Sequence, residues 1–303
     1  MDRVVLVTKP SRLEELVRLH LTEGAARFVL ESQGESIAPY EREDAAYRAA
    51  LAEVRRQIPA DLPVATVPRQ DLPQFLFREK DLVIACGPDG LFANLAKYVG
   101  GQPVLTINPD PQTVAGVLML FPPEATGRLI SLVQHNRHRV ERLPFIKASI
   151  DDDRVVWGIN DVFLGRTDHV SARYIVSFRG RTERQSSSGI IVSSGVGATG
   201  WMRSIAVMAA ALTHGGAAAL AKLPGPASNE LVFVVREPFP SPATGTSVVT
   251  GRIKPGSPLV VTSEMPSGGR IFSDGVTEKA VEWTAGSKVT VSVGDRYVRR
   301  IVT

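Results

Sequence analysis

A five-residue apolar run, Leu82–Cys86, leads straight into Gly87-Pro88-Asp89-Gly90 and then into Leu91–Val99, whose apolar residues recur near helical spacing. No other stretch limits the fold so strongly. A strand that is apolar at every position is buried on both faces, the mark of a parallel sheet covered by helices. Gly100-Gly101 stops the helix, and Pro103–Asn108 supplies the next strand. The aspartate loop therefore belongs at the carboxyl end of a buried strand, where open α/β sheets bind their ligands.

The same alternation runs back to the N-terminus. Val4–Thr8 is a continuous apolar strand, and Leu13, Leu16, Val17 and Leu21 mark a helix over Leu13–Leu21. Ala26–Leu30 reads as a second strand, and Glu43–Ile58 as an amphipathic helix ended by Pro59. After about Ser131 the pattern changes. Phe145–Ile150, Arg154–Ile159, Ala172–Phe178, Gly189–Ser193, Leu231–Val235, Pro258–Ser263, Gly269–Phe272 and Lys288–Val293 are short strand candidates between Gly, Pro, Ser and Asp clusters. One clear helix, Trp201–Thr213, and an alanine-rich stretch, Ala217–Ala221, interrupt them, and Pro238–Gly256 reads as a loop. The expected organisation is a doubly wound, mostly parallel α/β domain over 1–130, a β-rich domain over 131–285 and a C-terminal segment over 286–303.

Composition excludes several classes. The longest apolar run, Ile205–Leu212, is far short of the ~18–20 residues a membrane span needs, so no membrane partner is expected. The N-terminus enters a strand directly, without the layout of a secretory signal. Cys86 is the only cysteine and ends a buried strand, where it acts as a small core hydrophobe. A cytoplasmic protein follows as the expectation. The net charge of +4 comes from interspersed residues, and the basic stretches at 137–142 and 296–300 have no aromatic stacking pattern beside them, so nucleic acid is not an expected partner.

Three loops could carry chemistry. In Gly87-Pro88-Asp89-Gly90, glycines let the backbone turn and approach a ligand, and the following helix offers N–H groups suited to phosphate. Asp89 can there accept a proton from an attacking hydroxyl or help hold a metal; alternatively it is an Asp-Gly turn with Asp89 as helix N-cap. The second loop, Ser193–Trp201, also joins a strand to a helix, and Gly195, Gly197 and Gly200 match G-x-G-x-x-G. A Rossmann reading requires a parallel strand ending in Asp or Glu about 20 residues on; that region reads AAALAKLPG, which favours another kind of phosphate- or sugar-cradling loop. The third, Asn160-Asp161, could read a purine edge or ribose hydroxyls, or be a plain turn between strands. Asp151-Asp152-Asp153 and Asp274-Gly275 read as hairpin turns, and His135 and His138 lack partners for a metal site, so no metal ligands are assigned.

In this order the loops resemble the NAD kinase family, which is related to the diacylglycerol and sphingosine kinases. Gly87–Gly90 is similar to the family's GGDG motif and Asn160-Asp161 to its Asn-Glu pair. Ser188–Trp201 lines up without a gap with its DG-apolar-apolar-V-S-T-P-T-G-S-T-A-Y block, and Asp274-Gly275 resembles a later DG in a hairpin. The resemblance implies a two-domain NAD kinase-like architecture whose β-rich domain binds nucleotide. It implies phosphoryl transfer from ATP to the ribose 2′-hydroxyl of NAD, giving NADP, with Mg2+ accompanying ATP. Asp89 would be the catalytic carboxylate, and Gly87, Pro88 and Gly90 would shape the phosphate loop. Asn160, Asp161, Ser188, Gly197, Ala198, Thr199, Gly200 and Trp201 would contact the acceptor. The partners implied are the small molecules ATP and NAD, in a homodimer or homotetramer whose C-terminal segment returns to the first domain.

The chain departs from the family pattern at Pro88, Leu91, Ser188, Gly195-Val196 and Ala198, and no histidine stands near Pro224–Asn229. Two alternatives therefore stand beside NAD phosphorylation: a same-fold kinase acting on a sugar, polyol or other nucleoside, and a nucleotide-binding regulatory protein without transfer.

Overall fold

The computed structural model describes residues 1–113, 116–151, 153–213 and 223–303. Asp152, His214 and the alanine-rich stretch at 217–221 lie outside the described residues. The chain divides into two compact units, 1–141 with 298–303, and 142–297. The expected divisions at 130 and 285 thus shift C-terminally. The first shifts because a helix over Thr126–Gln134 buries Leu129, Ile130 and Val133 in the first unit's core. The second shifts because the final strand candidate runs on to Ile301.

In the first unit the elements are β1 (Arg3–Thr8), α1 (Arg12–His20), α2 (Glu23–Ser32), α3 (Ala38–Gln57), β2 (Val64–Pro68), β3 (Asp81–Cys86), α4 (Asp89–Ala96), β4 (Pro103–Ile107) and α5 (Thr126–Gln134). The strands are parallel in the order β2-β1-β3-β4. All six residues of β3 are buried, as its apolar run requires. Its first residue, Asp81, is matched by Arg3, whose guanidinium donates to both carboxylate oxygens at 3.0 and 2.5 Å. Although burial opposes the charged form, that guanidinium and the Arg78 N–H hold the Asp81 carboxyl below its ordinary value. Helix α3 covers one face through Tyr47, Ala50 and Val54, near the helical period.

One expected strand is a helix. Ala26–Leu30 lies inside α2, where the Thr22 side chain accepts from the Ala25 N–H as N-cap and Ala26 and Leu30, four apart, share the buried face. A five-residue stretch with four apolar residues around Arg27 fits either period, and here the cap decides. Strand β2, VATVP, has only one fully buried residue, which is why its apolar signal is faint.

The second unit contains β5 (Val140–Ile150, entering from the first unit), β6 (Arg154–Gly158), β7 (Asp161–Arg166), β8 (Ala172–Phe178), β9 (Arg181–Ser187), β10 (Ile190–Ser193), α6 (Trp201–Leu212), β11 (Leu231–Val235), β12 (Thr250–Ile253), β13 (Leu259–Ser263), β14 (Gly269–Ser273), β15 (Val276–Glu282) and the greater part of β16 (Lys288–Ile301). It is β-rich, as expected. One sheet runs β12-β11-β10-β7-β14-β15; in the other, β16, β13, β8 and β9 are neighbours. Inward residues of both, among them Leu164, Tyr174, Val192, Phe233 and Trp283, form one core. Strands β7, β9, β12 and β15 are additional to those expected, and of these only β7 carries a run of apolar residues, Val162–Leu164. β9 (RTERQSS) and β15 (VTEKAVE) are polar edge strands, and β12 lies within the stretch expected to be loop.

No helix among the described residues is long and apolar enough to cross a membrane. The last residues of β16 return to the first unit, where Arg299 and Arg300 pair in parallel with Pro103 and Val104 of β4.

Candidate active site

The strand order β2-β1-β3-β4 reverses direction between β1 and β3, and ligands of doubly wound sheets bind at the carboxyl edge of such a switch point. A cavity of about 530 Å3 lies there, within the range of small-molecule sites. Lys9 follows β1, Gly87-Pro88 follow β3 and Asn108 follows β4, and all four form part of its wall with Arg42 and Tyr47 of α3. The Tyr47 hydroxyl accepts from the Lys9 N–H at 3.1 Å and donates to the Cys86 carbonyl at 3.2 Å, tying the ends of β1 and β3 together. Burial pushes the Tyr47 phenol up and the Cys86 thiol up to about 12. Both are therefore neutral at pH 7: the phenol keeps its proton for that bond, and the thiol is a core group. Among the described residues neither Lys9 nor Arg42 is in an ion pair, whereas neighbouring Glu43 is matched by Arg12. Two cations without counterions in a cavity suit an anionic ligand.

Asp89 is the first residue of α4, and the N-cap position falls on Pro88. The N-cap alternative for Asp89 is thereby corrected. Pro88 supplies the cap's carbonyl, which accepts from the Leu91 N–H at 2.9 Å, while the Asp89 side chain turns toward a different segment. Its carboxylate accepts the N–H groups of Val117, Leu118 and Met119 at 3.2, 3.0 and 3.3 Å. Asp89 and Gly90 are not part of the cavity wall. Gly90 is exposed with open space around its Cα, and a Cβ on Gly87 would lie 2.9 Å from the buried Leu91 side chain.

In the second unit, Asn160 and Asp161 join β6 to β7, and the carboxylate of Asp274 organises that turn. It accepts the N–H of Ile159 at 3.1 Å, of Asn160 at 2.7 Å and of Asp161 at 3.3 Å, and the Asp274 N–H donates back to the Asp161 carbonyl at 3.0 Å. Asp274 and Gly275 have φ of +53° and +70° between paired Ser273 and Val276, as a two-residue hairpin turn requires. The turn expected at this position is present, and its aspartate also gathers three backbone donors.

The glycine loop packs on the same turn. Strand β10 is antiparallel to both β7 and β11, which rules out the Rossmann reading. Buried Ser194 donates its hydroxyl to the Ile159 carbonyl and its N–H to the Asn160 carbonyl, and its Oγ accepts from the Val196 and Gly197 N–H groups at 3.1 and 3.3 Å. A Cβ on Gly197 would lie 2.0 Å from the Asn160 carbonyl oxygen, and one on Gly195 1.8 Å from that of Gly225. These glycines serve close backbone approach. Ala198 is buried, and the Thr199 hydroxyl donates to the Val196 carbonyl at 3.2 Å. Trp201 opens α6 and stacks on Phe163 at 5.9 Å, with the Arg236 guanidinium 5.9 Å from its ring.

The structure thus brings Asn160, Asp161, Gly197, Ala198, Thr199, Gly200 and Trp201 together at the carboxyl end of β10. It does not bring Ser188 to them. That residue precedes β10 at its opposite end, five residues from Ser193, or about 17 Å at ~3.4 Å per extended residue.

Lys9, Arg42, Tyr47 and Asn108 were not singled out in the sequence. Lys9 and Asn108 immediately follow buried strands, a signal that could have found them; Arg42 and Tyr47 sit on a long amphipathic helix and carry none. Among the described residues no group of three or more His, Cys, Asp or Glu is placed to hold a metal ion.

No protein-family model matches the chain, and no curated protein matches it. Solved structures do. A yeast NADH kinase in complex with NADH superposes with a TM-score of 0.60 at 16% identity, over 99% of this chain and 83% of its own. An NAD kinase from Archaeoglobus fulgidus in complex with ATP gives 0.59 at 16% identity, over 100% of this chain and 94% of its own. The chain has the fold of these kinases.

Proposed function

We propose that the chain is a divergent NAD kinase-like phosphotransferase, moving a phosphoryl group from ATP to the ribose 2′-hydroxyl of NAD. The observation that carries this reading is Asp89, held on three backbone N–H groups where the strand carrying the aspartate loop ends. A carboxylate has about four lone-pair sites; three N–H donors leave one for an incoming hydroxyl. The acceptor oxygen attacks the γ-phosphorus, the bond to the β–γ bridging oxygen breaks, ADP departs, and the hydroxyl proton passes to Asp89. Lys9, a point charge, and Arg42, a planar fork, bind the donor's phosphates in the cavity. In the second unit, the Asn160-Asp161 turn and the 197–201 loop bind the acceptor, with the Trp201 ring offering a face for stacking. Ser188 lies outside that group.

The residues fit a magnesium ion that arrives with ATP. Such an ion keeps waters and phosphate oxygens as ligands and takes one or two carboxylates from the protein; Asp110 and Glu43 stand on the cavity wall, and Asp89 beside the loop. When bound, it neutralises charge on the transferring phosphate. The cytoplasm, where ATP and NAD are abundant, is the compartment this reading implies, and a homodimer or homotetramer its assembly.

One observation favours a nucleotide-binding protein without transfer. Pro88 has no N–H to offer a phosphate, and Leu91, where the resembling family carries a hydroxyl, is buried. Incubation with ATP, Mg2+ and NAD separates the readings. Equal amounts of ADP and NADP are expected. Asp89→Asn should lower turnover about 100-fold or more while thermal stabilisation by NAD persists. Stabilisation by NAD without NADP supports the binding protein; neither stabilisation nor NADP refutes the NAD reading.

A further inference from the structure

Two peptide groups connect Asp89 to the end of the chain. The N–H groups of Val117, Leu118 and Met119 face the Asp89 carboxylate. On the other side of the same turn, Nη1 of Arg300 donates to the carbonyls of Val117 and Leu118 at 3.5 and 3.3 Å. The Val117 carbonyl and Leu118 N–H are one peptide group; the Leu118 carbonyl and Met119 N–H are the next. A trans peptide points its C=O and N–H in opposite directions, so guanidinium and carboxylate face each other across two peptides that both of them bond. Arg300 is itself held, with Nη2 donating to Glu141 Oε2 at 2.6 Å, and it is only 3% exposed.

The arrangement has a direction. Hydrogen bonds in a chain polarise one another, and a cation on a carbonyl oxygen makes the N–H of that peptide a better donor. The 117–119 turn belongs to no helix or strand. Its downstream ties run to β4, where the Leu120 N–H donates to the Thr106 hydroxyl at 3.2 Å and the Phe121 N–H to the Thr106 carbonyl at 3.2 Å. These ties fix residues 120 and 121. Among the described residues, the two preceding peptides are bonded by Arg300 on one side and Asp89 on the other.

We propose that Arg300 is a positioning residue for Asp89, setting through the 117–118 and 118–119 peptides the direction of the one carboxylate lone pair left for the substrate. The inference rests on the phosphotransferase reading for its catalytic consequence, and on geometry alone for the relay. It gives the C-terminal residues of the first unit a part in the site that the aspartate loop itself does not reveal.

The test uses the full chain with Arg300→Met, Arg300→Lys and Glu141→Gln. With ATP and NAD, Arg300→Met is expected to lower kcat about tenfold, with KM for both substrates within about twofold of wild type. Arg300→Lys, which keeps one charged donor, restores part of kcat. Glu141→Gln, which leaves Arg300 in place but loosens it, gives a smaller loss in the same direction. Backbone amide exchange at 117–119 is expected to accelerate in Arg300→Met and also in Asp89→Asn. An Arg300→Met protein that is less stable but keeps its kcat, or one with unchanged exchange at 117–119, overturns the proposal. Should wild type fail to phosphorylate NAD, the phosphotransferase reading falls, and the exchange data alone decide the relay: acceleration upholds it and no change ends it.

Discussion

Gly197 is a position where a single methyl group should do damage out of proportion to its size. A Cβ there would stand 2.0 Å from the Asn160 carbonyl oxygen, 2.5 Å from its carbon and 2.8 Å from Ser193 Oγ. Ordinary contact needs about 3.4 Å or more, so the loop or the turn must retreat by about 1.4 Å. Neither does so freely. The Asn160 N–H is held on Asp274 at 2.7 Å, and the Ser194 N–H on the Asn160 carbonyl at 3.0 Å. Retreat therefore breaks about two hydrogen bonds at ~1 kcal/mol each, and incomplete retreat adds overpacking of about 1–3 kcal/mol. We expect Gly197→Ala to destabilise the second unit by about 3 kcal/mol, a fall of roughly 6–12 °C in Tm for a unit of this size. All three tryptophans, at 157, 201 and 283, lie in that unit, so thermal melts followed by tryptophan fluorescence report it alone. Gly225→Ala, where a Cβ meets nothing within 4 Å, is the control and should stay within about 2 °C of wild type. A Gly197→Ala protein that melts with the control refutes the close seating of the loop on the 159–161 turn.

Asp274→Ala removes the acceptor of three backbone N–H groups and should cost about 3 kcal/mol, read as a lower urea midpoint in the same fluorescence; Asp274→Asn, which retains one oxygen, should cost less, and equal losses would argue against the bond count. In the first unit, Asp81→Asn breaks the pair with Arg3 and should cost about 3–5 kcal/mol at pH 7. Because the folded carboxyl of Asp81 sits below its ordinary value, its contribution is fully present above the unfolded value near pH ~4 and is lost as pH falls through the folded one. Wild type should therefore lose stability on acidification more steeply than Asp81→Asn, and parallel pH curves would contradict the assignment.

The sequence carried the parts of this fold that depend on contiguous patterns. β3 is apolar at every position because it is covered on both faces, and the loop after it is visible for the same reason. Ala26–Leu30 misled because so short a stretch, with four apolar residues in five, fits two periods, and the deciding bond, from the Ala25 N–H to Thr22, is a single contact. The polar strands β9 and β15 pair through their backbones at the second unit's sheet edges, a property their side chains do not announce. At the site, the Asn160-Asp161 turn and the glycine loop were legible as motifs, but their union was implied only by the resemblance and not by the residues themselves. It depends on Asp274, more than 110 residues away, reaching back to three N–H groups. The cavity cations and Arg300 were invisible for the same reason: each acquires its meaning from neighbours brought by the fold.

The return of residues 298–303 to the first unit also bears on how the protein is made. A ribosome that has released the first 141 residues has delivered the other strands of the first unit and all of its helices, but β4, paired with β3, still lacks its neighbour on the other side. About 156 further residues, the whole second unit, must be translated before Arg299 and Arg300 can pair with Pro103 and Val104. Through that interval, roughly 8–30 s at 5–20 residues per second, β4 presents an open strand edge, and the 117–119 turn waits without its cation. Completion of the first unit thus waits on synthesis of the whole second unit, and the final strand works as a latch that closes only after it.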